Sequence, residues 1–294
     1  MFPVIHIFGI NIYPYGMMIG IGLVTAVLLF IKRCKNRGYD EDSAFNIAVL
    51  CCISGIIGAK VLFLIIELPQ VLRDPMAVLK DFGNGFVIYG GIIFGILAAY
   101  IFARFKKWSF LNIFDTAVPL ISLAQGFGRI GCFFAGCCYG RETDSFIGME
   151  FNNSPFAPHN VHIIPTQLIS SIGNFIIFGI LLWFDNKKKT RNGQTGALYL
   201  VLYSIGRFII EIFRDDPRGT VFNVLSSSQF ICIFMFLAGV AMLYLISRKA
   251  KNEDIEVTKC SDEKASEDLI ETVENEQAKA IDELDDNTNL DDKV

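Results

Sequence analysis

The apolar positions of this chain fall in long uninterrupted blocks instead of a 3.6-residue rhythm. The stretches Tyr15–Ile31, Phe86–Ala103 and Phe230–Ile246 contain no charged residue. A helix of a water-soluble domain keeps one wet face, so three such runs point to a lipid environment. A bilayer crossing needs about 20 predominantly apolar residues. Reading the remaining blocks on that ruler predicts seven spans, at 14–32, 45–66, 86–104, 112–134, 165–185, 196–214 and 229–247. Spans four and six are the least apolar, because they carry Asp115, Arg129, Arg207 and Glu211. The expected fold is an all-α membrane protein, a bundle of about seven transmembrane helices. Small residues at packing distance, Gly16 with Gly20, Gly55 with Ala59 and Gly91 with Gly95, are expected to let helix backbones approach.

The connecting segments give the bundle a direction. Basic clusters lie at Lys32–Arg37, Arg104–Lys107, Lys187–Arg191 and Arg248–Lys251. With seven spans, all four fall on one side, which the positive-inside bias makes cytoplasmic. The opposite connections hold only Arg73, Lys80, Arg141 and Arg218. This places the N-terminus outside and the C-terminus in the cytoplasm. Residues 1–14 contain no Lys or Arg, so the first span reads as a retained helix and not as a cleavable signal. The polar outer segment 138–164, with Pro155 and Pro158, is too long for a tight turn, so it either covers a site or simply connects two spans.

Composition changes the picture at one place. The formal net charge is −4, yet residues 252–294 hold sixteen of the 30 acidic and four of the 26 basic side chains. The body is therefore basic, with 22 basic side chains against 14 acidic ones. Two regions follow: a transmembrane domain at 1–251, and an acidic segment at 252–294 that reads as a disordered, solvated cytoplasmic tail. The basic clusters fit membrane topology, and the chain has no nucleic-acid-binding signature.

Ionisable groups inside a span are costly and default to functional hypotheses. Arg129 stands among Gly126, Gly128 and Gly131, with Gly136 and Gly140 following, and glycines of this kind let a bulky head group approach the backbone. Arg207, Glu211 and Arg214, spaced i, i+4 and i+7, share one helical face. Arginine binds phosphate bidentately and keeps its charge in a dry setting. A structural ion-pair network is the competing reading of that stripe. Topology favours an anion pocket, because Tyr15, Tyr89, Arg129 and Arg207 all fall toward the outer ends of their spans.

Cys132, Cys137 and Cys138 form a C-x4-C-C pattern that matches no standard zinc spacing. They read first as small packing residues, with a Cys132–Cys138 bridge or a metal site as alternatives. Of the three histidines, His159 and His162 lie in the outer segment, and His6 near the N-terminus.

Taken in order, Tyr15-Gly16, Tyr89-Gly90-Gly91, Gly128-Arg129-Ile130-Gly131 through Gly140-Arg141, Pro165-Thr166-Gln167-Leu168, and Gly206-Arg207-Phe208 through Glu211 and Arg214 resemble the prolipoprotein diacylglyceryl transferases. The resemblance runs from about residue 12 to 218. It implies transfer of a diacylglyceryl group from phosphatidylglycerol to the lipobox cysteine of a prolipoprotein, the first step of bacterial lipoprotein maturation, in the cytoplasmic membrane. Its implied partners are phosphatidylglycerol, prolipoprotein signal peptides and membrane lipids, with no metal or organic cofactor. Arg129, Arg207, Tyr89 and Tyr15 would be the catalytic group. Arg129, Arg207, Glu211, Arg214, Gly131, Gly140 and Gln167 would bind substrate. The chain departs from the family pattern at Tyr89, where a histidine base is usual, and at Cys132, Ile164 and Ile169-Ser170. A relative acting on another lipid or acceptor, and a non-enzymatic lipid-binding protein, are the alternative readings.

Overall fold

The computed structural model of the chain describes residues 5–7, 10–73, 76, 85–215, 220–221 and 225–248. The acidic segment 252–294 lies outside the described residues. The long helices are α1 (Pro14–Asn36), α2 (Glu41–Ile66), α4 (Ile88–Phe105), α5 (Phe110–Ala135), α6 (Thr166–Lys187), α7 (Gln194–Ile212) and α8 (Ser227–Arg248). The short α3 (Leu68–Arg73) follows α2. All seven long helices are apolar and long enough to cross a membrane, which bears out the seven-span reading. Three small antiparallel hairpins complete the described residues: β1 (Ile5–Ile7) with β2 (Ile10–Ile12), β3 (Met149–Glu150) with β4 (His162–Ile163), and β5 (Thr220–Val221) with β6 (Leu225–Ser226).

The chain divides into two compact units, 1–243 and 244–294. Only the last residues of α8 are described in the second.

Helix boundaries follow local chemistry. Asp40 caps α2 by accepting a hydrogen bond from the Ser43 amide at 2.9 Å, and Glu41 and Asp42 add negative charge to the first turn. Hydrogen bonding to Ser43 holds the Asp40 carboxyl below its ordinary pKa. Pro14 opens α1, where its missing amide costs no hydrogen bond. α5 stops at Gly136, which takes the left-handed conformation at φ +71°.

Successive spans pack antiparallel, and small residues set their closest contacts. A Cβ on Gly90 of α4 would lie 2.2 Å from the Gly58 carbonyl oxygen of α2. The Val87 amide donates to the Ala59 carbonyl at 3.1 Å across the same seam. Beside it a Cβ on Gly91 would lie 3.0 Å from the Gly55 carbonyl oxygen, so these two small-residue stripes do face each other. Gly16 and Gly20 are different: nothing lies within 4 Å of a Cβ built on either. Their spacing does not mark a helix contact, and α1 instead meets α5 through Gly22, whose Cβ would come within 2.7 Å of Phe127. A small-residue stripe reveals where a backbone can approach, but not whether a neighbour does.

α5 is the central helix, packed against α1, α6 and α7 and touched by α4. At its N-terminal end a buried polar network joins four elements. Asp185 of α6 pairs with Arg33 and Arg37 of α1 and accepts from Thr195 of α7 at 2.9 Å. Asp115 of α5 accepts from the Gly193 and Gly196 amides at 2.6 and 2.8 Å, and pairs with Lys189 at 2.9 Å. Asp115 therefore supplies the cap that starts α7, satisfying amides that have no helical partner of their own. Arg37 also donates to Thr116 at 2.6 Å and to Asn112 at 3.1 Å. The clusters Lys32–Arg37, Arg104–Lys107 and Lys187–Arg191 all belong to this end of the bundle.

At the other end, residues 137–165 form a loop with its own small core. Phe151, Ala157 and Ile163 are buried against Phe133, Tyr139 and Val161. Ser154 Oγ accepts from the Phe156 and Ala157 amides, closing the turn over Gly136.

Both carboxylates of the polar network are fully buried, so removing one charge strands its partners. Asp185→Asn is expected to destabilise the bundle by about 3–5 kcal/mol, measured as a lowered unfolding midpoint of the purified protein in detergent. A midpoint equal to that of the parent protein would show that Asp185 does not hold the bundle.

Candidate functional site

The remaining span charges collect at the end of the bundle carrying the 137–165 loop. Arg129 lies near the C-terminal end of α5, half-buried. It is within electrostatic reach of Tyr15 on α1, Cys132 on α5 and Arg207 on α7. No carboxylate pairs with Arg129 among the described residues. Arg207, in contrast, is clamped: its Nη1 lies 2.6 Å from Glu211 Oε2, and its Nη2 donates to Ser228 at 3.1 Å. Arg214 Nε approaches the same Glu211 oxygen at 3.9 Å. Among the described residues, Arg207 and Arg214 share Glu211 while Arg129 has no carboxylate. A bare guanidinium inside a span is expensive, so the group as a whole is suited to an incoming anion.

The loop is stitched to α6 and α7 around this group. Gly140 forms an isolated antiparallel bridge with Arg214, and the Arg141 amide donates to Phe213 at 2.9 Å. Thr166 Oγ1 donates to the Cys138 carbonyl at 2.9 Å, and Gln167 Nε2 to the Cys137 carbonyl at 2.8 Å. These are the first residues of α6, so the Pro165-Thr166-Gln167 motif anchors the loop that follows Arg129. Gln167 is 1% exposed, and its Oε1 has no hydrogen-bond partner among the described residues. A buried acceptor left in this state is ready for a donor from a bound molecule.

Two glycines expected to admit a head group are occupied by the protein itself. A Cβ on Gly131 would meet the Tyr15 carbonyl oxygen at 3.0 Å, and one on Gly140 would meet the Ile164 carbonyl oxygen at 2.6 Å. Both glycines allow close backbone packing at this end. The clearance lies instead at Gly128 and Gly206, immediately before Arg129 and Arg207, where nothing stands within 4 Å of a built Cβ. The Gly-Arg dipeptide itself carried that signal.

Tyr15, 44% exposed, packs on the Gly131 turn of α5 and belongs to the arginine group. Tyr89, 43% exposed, is at the same end but on the α2–α4 pair, which touches α5 only lightly. The loop histidines are engaged locally: His159 Nε2 is 2.8 Å from the Ser154 carbonyl, and His162 lies 3.7 Å from Glu150 across the β3–β4 hairpin. Lys60 on α2 was not flagged by the sequence pattern. It is buried, with its ammonium 5.0 Å from the Phe63 ring centre and 5.1 Å from that of Phe86. Its single charge in an otherwise apolar span was the signal available.

The three clustered cysteines do come together. Their sulfurs all lie within 4.8 Å of one another. Hydrogen bonds with Cys132 and Cys137, with help from Arg214, pull the Cys138 thiol well below its ordinary pKa, and bonding to Cys132 and Cys138 pushes Cys137 up. Beside Arg207, an apolar groove of about 220 Å³ runs between α7 and α8, lined by Ile205, Phe208, Ile209, Ile233, Phe236 and Leu237.

Residues 3–245 match the family model described as prolipoprotein diacylglyceryl transferase. A Clostridium perfringens protein named phosphatidylglycerol–prolipoprotein diacylglyceryl transferase 2 is 49% identical over 248 residues, covering 84% of this chain and 96% of that protein. A Clostridium tetani phosphatidylglycerol–prolipoprotein diacylglyceryl transferase is 48% identical over 235 residues, 80% of this chain and 93% of its own length. The protein of that name from Clostridioides difficile is 34% identical over 246 residues, 84% and 95% of the two chains. The match spans every element that builds the arginine group, from Tyr15 on α1 to Arg214 beyond α7, and with it this chain belongs to the prolipoprotein diacylglyceryl transferase family.

Proposed function

We propose that this chain transfers the diacylglyceryl group of phosphatidylglycerol to the cysteine thiol of a prolipoprotein signal peptide, at the Arg129–Arg207 end of its bundle. The observation that carries this reading is Arg129: half-buried in a span, free of any carboxylate among the described residues, and reinforced by two further arginines that share one glutamate.

The chemistry follows from where charge develops. The acceptor sulfur attacks the glyceryl carbon that bears the phosphate ester, and the carbon–oxygen bond breaks with its electrons going to the phosphate. Glycerol phosphate leaves with one more negative charge than the diester carried. Positive groups already in place stabilise that growing charge without reorganising. Arg129 holds the phosphate, Arg207 assists, and Glu211 fixes Arg207 in position while keeping Arg214 close. Tyr15 stands beside Arg129 at the same end, and Tyr89 serves the site from the α2–α4 pair. The unpartnered Oε1 of Gln167 accepts a hydroxyl of the glycerol head group. The α7–α8 groove takes an acyl chain from the surrounding bilayer. Gly131 and Gly140 serve the site by letting α1 and the Ile164 backbone after β4 close around it.

The basic clusters at the opposite end support an orientation with the reaction at the outer face of a bacterial plasma membrane and the N-terminus outside.

Arg129→Ala is expected to lower transfer to a fluorescent lipobox peptide by about 1,000-fold, in line with loss of a principal anion-stabilising group, while leaving membrane insertion intact. Full transfer in that variant would falsify the assignment. Gln167→Leu is expected to raise the KM for phosphatidylglycerol about tenfold, the cost of one buried hydrogen bond, with a smaller change in kcat. An unchanged KM would remove Gln167 from the head-group site. A membrane-impermeant maleimide applied to intact cells is expected to label Thr143→Cys, placed in a background lacking other reactive thiols, and to spare Thr190→Cys. The reverse labelling pattern would invert the orientation.

A further inference from the structure

The trio Cys132, Cys137 and Cys138 takes no part in the chemistry described above, although it adjoins Arg129. Its geometry is built by the backbone. Gly136 ends α5 in the left-handed region at φ +71°, and Cys138 takes the same region at φ +62°, which a residue with a side chain seldom adopts. The chain thereby curls back, and the sulfurs of residues 137 and 138 return over that of residue 132, all within 4.8 Å. Gln167 and Thr166 hold the Cys137 and Cys138 carbonyls at 2.8 and 2.9 Å, so the turn is pinned from α6. None of the three is in a disulfide. Adjacent Cys137 and Cys138 cannot close a relaxed disulfide with each other.

Three convergent thiols match the demands of a soft d10 cation. Zinc binds thiolate sulfur at about 2.3 Å in tetrahedral geometry, which spaces the sulfurs about 3.8 Å apart, within reach of the present arrangement. Three protein ligands leave a fourth position open, the pattern of a reactive zinc site and not of a closed structural one. A zinc ion with three thiolates carries one net negative charge. Arg129, near Cys132, and Arg214, which hydrogen-bonds Cys138, offset that charge.

We propose that Cys132, Cys137 and Cys138 form a three-thiolate zinc site whose fourth position takes the acceptor thiol. The second half of this statement rests on the transferase reading. On binding, the acceptor thiol gives its proton to water and becomes a zinc-held thiolate. Its sulfur then forms a bond to the glyceryl carbon, the carbon–oxygen bond breaks, and the electron pair leaves with glycerol phosphate. The product thioether is uncharged and a weak ligand, so it departs from the ion. No protein base is consumed in this step.

The test uses the full-length protein, purified in detergent, reduced and stripped with a chelator. Titration with zinc alone against a chromophoric indicator is expected to give one tightly bound ion per chain. Zinc is expected to protect three thiols from alkylation, mapped by mass to positions 132, 137 and 138. That measurement needs no substitution, so misfolding of a variant cannot obscure it. Replacing all three residues with serine should abolish binding, and Cys52→Ser should preserve it. No binding by the reduced parent chain, or binding retained in the triple variant, overturns the site. With cobalt in place of zinc, a lipobox peptide should shift the thiolate-to-metal absorption band, and its Cys→Ser counterpart should not. Equal spectra, or undiminished transfer by the stripped protein in chelator, overturn the acceptor role alone. Zinc bound by the trio with no transfer from phosphatidylglycerol would sink the transferase reading and leave the metal site standing.

Discussion

The architecture depends on two carboxylates buried at one end of the bundle. Lipid offers no hydrogen bonds, so each polar group within the membrane must be satisfied by the protein. Asp185 and Asp115 meet that demand for several partners at once. Asp185 gathers Arg33, Arg37 and Thr195, and Asp115 gathers Lys189 and the first amides of α7. Together they tie α1, α5, α6 and α7 at a common level. Helices that share only lipid-like surfaces gain little from packing, and such a network fixes their register where apolar contacts would let them slide.

The opposite end is built on the reverse principle. There, among the described residues, Arg207 and Arg214 share Glu211 and Arg129 lacks a carboxylate. A rigid frame surrounds this group: the Gly140–Arg214 bridge, the Thr166 and Gln167 bonds to the loop carbonyls, and the packed Phe151 core. One end holds the helices, and the other keeps the arginine group in place on that frame. The three clustered thiols lie at the same end, where a cationic field favours the thiolate form.

This contrast explains why the two kinds of span charge looked alike in the sequence. Asp115 and Arg129 lie fourteen residues apart on one helix and break the same apolar run. Only their neighbours separate them. Asp115 meets an amide pair and a lysine from α7 and its preceding loop, and Arg129 lies within electrostatic reach of another arginine, Arg207. Glycines show a similar ambiguity. Gly131 and Gly128 flank Arg129 nearly symmetrically, yet one is filled by Tyr15 of α1 and the other faces clear space.

Block hydrophobicity determined the number and approximate bounds of the spans, because crossing lipid imposes a length and composition that no partner helix can relax. The ordered motif set determined the family, and helical periodicity placed Arg207 and Glu211 on one face of α7; the expectation that Arg214 shares that face is corrected, because α7 ends at Ile212 and Arg214 reaches Glu211 from the segment bridged to Gly140. Tertiary structure decided which charges are paired and which are left open. It decided that α1 packs through Gly22 and not through Gly16 and Gly20, that Lys60 is buried between aromatic rings, and that three cysteines with irregular spacing converge. These outcomes depend on contacts between residues far apart in the chain and on two left-handed turns. A one-dimensional pattern records what each helix requires of lipid, whereas the identity of each neighbour is settled only when the helices meet.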